Sequence, residues 1–139
     1  MIKLWSCLVN RAPQVELNIE QIEQRFVNCK SWEERYRQLL LLSKVLGPMD
    51  SQYQIQENLV QGCESDVWLY YANTQLLVDS NAKIIKGLLV IVLASFAQDA
   101  ENTQITFSQT LDKLGLAHHL SESRNNGITA ILQRIAKLS

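Results

Sequence analysis

An α+β fold, a single domain of helices packed on a small three-stranded antiparallel sheet, is what this chain predicts. Three observations carry it. Helical periodicity occupies both ends of the sequence, strand-like runs gather around Val67 to Tyr71, and a long apolar segment, Ile84 to Ala97, follows them. Helices, then strands joined by tight turns, then helices again is the order of an α+β domain rather than of alternating β and α units. At 139 residues the chain suits one domain and can bury a core without staples.

The elements follow in order. Met1 to Val15 has no clear period and contains Pro13, so it reads as an irregular lead-in. A first helix is predicted from near Asn18, with Ile19, Ile22 and Phe26 on one face. The second is better marked: Ser31-Trp32-Glu33-Glu34 is a capping box, Trp32, Tyr36, Leu39, Leu40 and Leu46 keep helical spacing, and Gly47-Pro48 stops it. Three short strands are then predicted. Gln54 to Gln56 or Leu59-Val60 supplies the first, Val67 to Tyr71 the second and Gln75 to Val78 the third, and Ala72-Asn73-Thr74 is short enough to join the last two as a hairpin.

Asp79-Ser80-Asn81 offers N-caps for the apolar helix, expected from about Ser80 to Ala97 and packed on the strands. Thr106-Phe107-Ser108-Gln109 has the form of another capping box, opening a short helix that Gly115 can close. Ser121 caps the last helix, with Glu122 in its first turn and Ile128, Ile131, Leu132, Ile135 and Leu138 as its apolar stripe.

Composition narrows the function. The 13 Lys and Arg nearly balance 14 Asp and Glu, so no basic excess points to nucleic acid. Cys7, Cys29 and Cys63 are odd in number and form no C-x-x-C pair, which argues against a disulfide framework or a cysteine-rich zinc site and fits a cytoplasmic, reducing setting. The N-terminus has too short an apolar run for a secretory signal. The segment Ile84 to Ala97 is shorter than the ~20 residues a membrane helix needs and contains Lys86 and Ser95, so no membrane span is predicted.

The candidate functional residue is Cys63. Free cysteine usually packs as a small hydrophobe, and Cys7 and Cys29 read that way. Cys63 follows Gly62, in a polar segment that leads into Val67-Trp68-Leu69-Tyr70-Tyr71. Glycine allows a sharp turn there, which would hold the thiol at the tip of a loop anchored by a strand. His118-His119 invites a second reading, a Cys-His thiol enzyme with Cys63 as nucleophile and either histidine as base. Neighbouring histidines point in different directions and no ligand partner stands at metal spacing, so no metal site is predicted.

The run Gly62-Cys63-x-Ser65-x-Val67-Trp68-Leu69 resembles the active-site signature of the SufE family, with its CsdE branch. Three further segments match in order: Trp32-Glu33-Glu34-Arg35-Tyr36, then Asp79-Ser80 with Ala82 and Ile84 to Leu89, and Leu120-Ser121-Glu122-Ser123-Arg124-Asn125-Asn126-Gly127. The resemblance covers the chain from about Ile22 to its end. It implies a sulfur acceptor without a cofactor of its own, not a self-sufficient enzyme. Cys63 would take persulfide sulfur from a pyridoxal-phosphate cysteine desulfurase, stimulate that enzyme, and pass the sulfur to an iron–sulfur scaffold or another receiving protein. A homodimer is compatible with this reading. Gly62, Glu64, Ser65 and Asp66 would be the loop a partner meets. Arg124 would supply the cation near Cys63, because the family's matching arginine lies near the active-site loop. Glu64 and Asp66 disfavour the thiolate, so the thiol is expected at or above the reference value of ~8.5 and quiet until a partner docks.

Overall fold

The computed structural model describes residues 14–138. Among them are five α-helices and one two-stranded antiparallel sheet, an α+β arrangement built round a single apolar core. Helix α1 (Ile19–Phe26) and helix α2 (Trp32–Leu42) both open with reciprocal capping boxes. Asn18 exchanges side-chain and backbone hydrogen bonds with Gln21, and Ser31 does so with Glu34. The α1 face Ile19, Ile22 and Phe26 is buried, as its spacing predicts. Helix α2 ends sooner than expected, because the chain tightens into a 3-10 turn at Ser43–Val45, yet Leu46 still reaches the core.

Strands β1 (Val67–Ala72) and β2 (Gln75–Ser80) pair with Leu69 opposite Val78. The hairpin turns through Asn73 and Thr74 alone, at φ of 53° and 60°, the left-handed pair of a two-residue turn whose twist suits the strands. The predicted third strand is absent among the described residues. Gln54 and Ile55 lie between 3-10 turns at Ser51–Tyr53 and Gln56–Asn58, the second taking in Gln56, and Leu59 makes only a single bridge to Trp68. The cause is local. Asp50 caps the first turn through the Gln52 N–H at 3.1 Å, and the Asn58 amide donates to the Tyr53 carbonyl at 2.7 Å, so side chains hold the adjoining backbone in turns rather than in a ladder. The free edge of β2 is closed differently. The Gln14 amide donates to the Val78 carbonyl and accepts from the Val78 N–H, both at 2.8 Å, as a strand residue would.

Helix α3 (Lys83–Gln98) runs through the centre, with Ile84, Ile85 and every residue from Gly87 to Ser95 buried. It packs on α1, α2, β2 and helix α4 (Thr103–Leu114). Gly87 lets α2 approach: a Cβ there would drive into the Leu39 carbonyl. The helix starts at Lys83 rather than Ser80, and its N-cap Ala82 has no side-chain cap bond. Ser80 is occupied elsewhere, its hydroxyl donating to the Asp66 carbonyl at 2.7 Å and accepting from the Ala82 N–H at 3.1 Å.

The capping box expected at Thr106 is not a helix start. A 3-10 turn at Ala100–Asn102 winds directly into α4, which places Thr106 inside it, its carbonyl accepting from the Thr110 hydroxyl. The buried stripe Thr103, Phe107, Thr110, Leu111 and Leu114 explains the earlier start. Gly115 closes α4 at φ 75°, as predicted. Ser121 caps helix α5 (Glu122–Ala136) through the Arg124 N–H, and Ile128, Ile131, Leu132 and Ile135 are buried. No helix among the described residues is long and apolar enough to cross a membrane. Cys7 and the lead-in up to Pro13 lie outside the described residues.

Candidate functional site

Residues 61–66 form a loop closed at its base. The Val60 N–H donates to the Val67 carbonyl at 2.8 Å, and the Asp66 carbonyl accepts from Ser80 and from the Asn81 N–H. Below this base, Arg134 of α5 reaches the Leu59 and Glu57 carbonyls at 3.2 and 3.4 Å. The feet of the loop are thus tied to the sheet and to α5, while Gly62, at φ 98°, turns the exposed tip. Cys63 follows the turn with its thiol pointing inward. It is half-buried, and its Sγ donates to the Gly127 carbonyl at 3.5 Å.

The thiol borders a cavity of 480 Å³. Glu64 and Ser65 line it from the loop, Tyr36 and Leu40 from α2, and Ser121, Ser123, Arg124 and Gly127 from α5 and its cap. Lys83, Ile84 and Ile85 close it from the start of α3. Arg124 and Cys63, far apart in sequence, therefore face one cavity. Lys83 is a second cation there that the sequence reading passed over. Among the described residues neither Arg124 nor Lys83 is engaged in an ion pair. Both stand in the first turn of a helix, where the dipole disfavours a positive charge. Their charge is available to an anion in the cavity.

The thiol itself is biased towards its neutral form. Burial pushes the Cys63 pKa above the ordinary cysteine value. The direction is the expected one, but the cause differs from the loop acidity proposed from sequence. Glu64 and Asp66 are solvent-exposed, so water and salt screen them, whereas the Cys63 thiol is partly buried. Asp66 does not line the cavity; its backbone serves the base of the loop.

The remaining candidates lie elsewhere. His119 stacks on Trp32 with ring centroids 4.8 Å apart, His118 is exposed, and neither lines the Cys63 cavity. A Cys-His pair is not assembled. Cys29 is half-buried against the core beside Arg35, whose guanidinium donates to the Cys29 carbonyl. Among the described residues no three His, Cys, Asp or Glu side chains are grouped to hold a metal ion. Among the described residues the site offers a single thiol, a roomy cavity and two uncommitted cations.

Comparison with known proteins agrees with this architecture. The family model described as SufE, Fe-S metabolism associated domain, matches residues 20–139. An uncharacterized SufE-like protein of Rhizobium meliloti is 38% identical, over 85% of this chain and 91% of its own. A SufE-like protein of Rhizobium etli is 33% identical, over 85% of this chain and 86% of its own. The cysteine desulfuration protein SufE of Wigglesworthia glossinidia brevipalpis is 32% identical, over 82% of this chain and 84% of its own. With a family model covering nearly the whole chain and relatives aligned over most of their length, this protein belongs to the SufE family of domains associated with iron–sulfur metabolism.

Proposed function

We propose that this protein is a covalent sulfur acceptor for a pyridoxal-phosphate cysteine desulfurase, carrying sulfur on Cys63 towards iron–sulfur cluster assembly in the cytoplasm. In the transfer, the Cys63 thiolate attacks the terminal sulfur of the desulfurase's cysteine persulfide. A new S–S bond forms at Cys63, the donor S–S bond breaks, and its electron pair leaves with the donor thiolate. No oxidant is consumed. Emptying the donor cysteine is what stimulates the desulfurase, and the cargo then passes to a scaffold or another receiving protein by the same exchange. Gly62, Glu64, Ser65 and Asp66 form the surface the desulfurase meets. Arg124 and Lys83 stabilise the anionic sulfur that the chemistry requires and the resting site disfavours.

The observation that carries this reading is the placement of Cys63. The residue follows the tip of a loop with fixed feet and turns its thiol inward, beside a cavity lined by two unpaired cations and, among the described residues, by no histidine or second cysteine. A thiol without an adjacent histidine or resolving cysteine suits carriage better than turnover or disulfide exchange. The test mixes the protein with a cysteine desulfurase and free cysteine. Cys63 gains the mass of one sulfur atom and the desulfurase accelerates; Cys63→Ser loses both. An adduct on Cys29 with stimulation preserved, or turnover of a small acyl ester by the protein alone, refutes the proposal.

A further inference from the structure

We propose that Gly127 is the berth of the transferred sulfur, its bare Cα and its carbonyl together reserving the space that the second sulfur of a Cys63 persulfide occupies. The inference rests on the reading of Cys63 as the sulfur carrier and concerns how the cargo is held.

Gly127 lies buried inside α5, and its backbone is not left-handed, so no turn requires a glycine there. A glycine within a helix is less favourable than alanine and calls for a steric reason. At Gly87 that reason is plain, because a Cβ would collide with the Leu39 backbone. At Gly127 the resting thiol does not supply one. An alanine Cβ would stand 3.4 Å from Cys63 Sγ and 3.8 Å from Cys63 Cβ, which is ordinary contact. The methyl would pack directly against Sγ, beside the cavity that both residues line.

Sulfur transfer places a new atom there. The persulfide's terminal sulfur lies about 2 Å from Sγ. Before loading, the thiol hydrogen of Cys63 points to the Gly127 carbonyl at 3.5 Å. After loading Sγ carries no hydrogen, and when the terminal sulfur is protonated its S–H has the Gly127 carbonyl, 3.5 Å from Sγ, as a neighbouring acceptor. One peptide group thus receives the sulfur in both states. The bare Cα leaves room for the added atom, and the carbonyl orients it.

The experiment loads Cys63 chemically, with inorganic polysulfide as the sulfane donor, and reads the retained persulfide by intact mass. Wild type and Gly127→Ala are compared, with thermal unfolding of each. Gly127→Ala should melt at the same temperature or higher. Overpacking one methyl against the sulfur should lower its retained persulfide roughly tenfold. Equal retention overturns the berth, whatever the melting temperature. A second measurement needs no variant: loading the wild type should shift the Gly127 amide resonance far more than that of Ala130, and an unmoved Gly127 overturns the proposal. Wild type that loads from polysulfide but never from a desulfurase would refute the carrier function while leaving the berth supported by the Gly127→Ala comparison.

Discussion

Ionising Cys63 removes its hydrogen bond to the Gly127 carbonyl and leaves a thiolate half-shielded from water, facing a carbonyl oxygen. Both effects favour the protonated form. Alkylation of Cys63 by iodoacetamide, followed on its own peptide, should therefore show a pH midpoint above the free-thiol value of ~8.5. The linked stability has a definite sign. A pKa raised by folding stabilises the native state below the unfolded value, and this is lost as pH rises through the folded one. Native stability should thus decline across that alkaline window, and Cys63→Ser should flatten the decline; a midpoint at or below the free thiol's contradicts the picture. The cations yield a second prediction. Arg124→Ala should slow sulfur acceptance from a desulfurase by roughly tenfold, with stability within ~0.5 kcal/mol of wild type because the side chain has no partner to lose. Lys83→Ala should act in the same direction and more weakly, being more exposed; unchanged transfer in both variants would remove the cations from the mechanism. At this scale the sequence was legible for Cys63, whose Gly62 turn is a local signal, and Arg124 was reached only through the family motif. Lys83 and the Gly127 contact were not legible, because the cavity is assembled from segments that meet only in the folded chain.

The two edges of the β-hairpin are treated unequally, and this explains both the missing strand and the importance of Gln14. On the β1 side, Val60 bonds to Val67 and Leu59 bridges to Trp68, after which the chain turns away into the active loop. On the β2 side, one buried glutamine amide satisfies both polar groups of Val78 and a further carbonyl at Gly47. Gln14→Ala should leave the Val78 N–H and carbonyl unpaired in a buried place, lowering stability by about 2–4 kcal/mol in chemical denaturation. A loss below ~0.5 kcal/mol would mean water takes over the edge. Elements set by their own residues were legible: the capping boxes of α1 and α2, the Ser121 cap and the Gly115 stop. The two failures share a physical origin. Thr106-Gln109 carries capping chemistry but lies inside a buried stripe that starts at Thr103, so packing overrides the local signal. Gln54 to Gln56 or Leu59-Val60 has strand-like residues, but Asp50 and Asn58 hold the adjoining backbone of Gln52 and Tyr53 in turns. A glutamine replacing a strand across 64 residues leaves no periodic trace at all.

Across the whole molecule, the loop that presents Cys63 is stiff at its feet and held near its tip by a long hydrogen bond and partial packing. Val60 to Val67, Ser80 to Asp66 and Arg134 to Leu59 fix the base to the sheet and to α5. The long thiol–carbonyl bond, the contact with Gly127 and partial packing against the core retain the side chain. A sulfur donor must reach that side chain in line with its own S–S bond, so the tip has to swing out while the base stays put. Such a motion separates groups across the cavity without breaking the core, and a docked partner stabilises the outward state by binding it preferentially. If the outward state is populated at about 1%, iodoacetamide labels Cys63 roughly a hundredfold more slowly than an equally ionised free thiol, and docking supplies about 2.7 kcal/mol to reverse this. The measurement compares the labelling rate of Cys63 alone and with a desulfurase whose own cysteine has been blocked. Slow labelling alone and acceleration in the complex are the expected result. Arg134→Ala provides the internal control, since loosening the base, rather than the tip, should lower stability without reproducing the acceleration. Labelling as fast as the free thiol, unaffected by the partner, would show that the inward thiol is not a barrier to exchange and that docking has no tip to release.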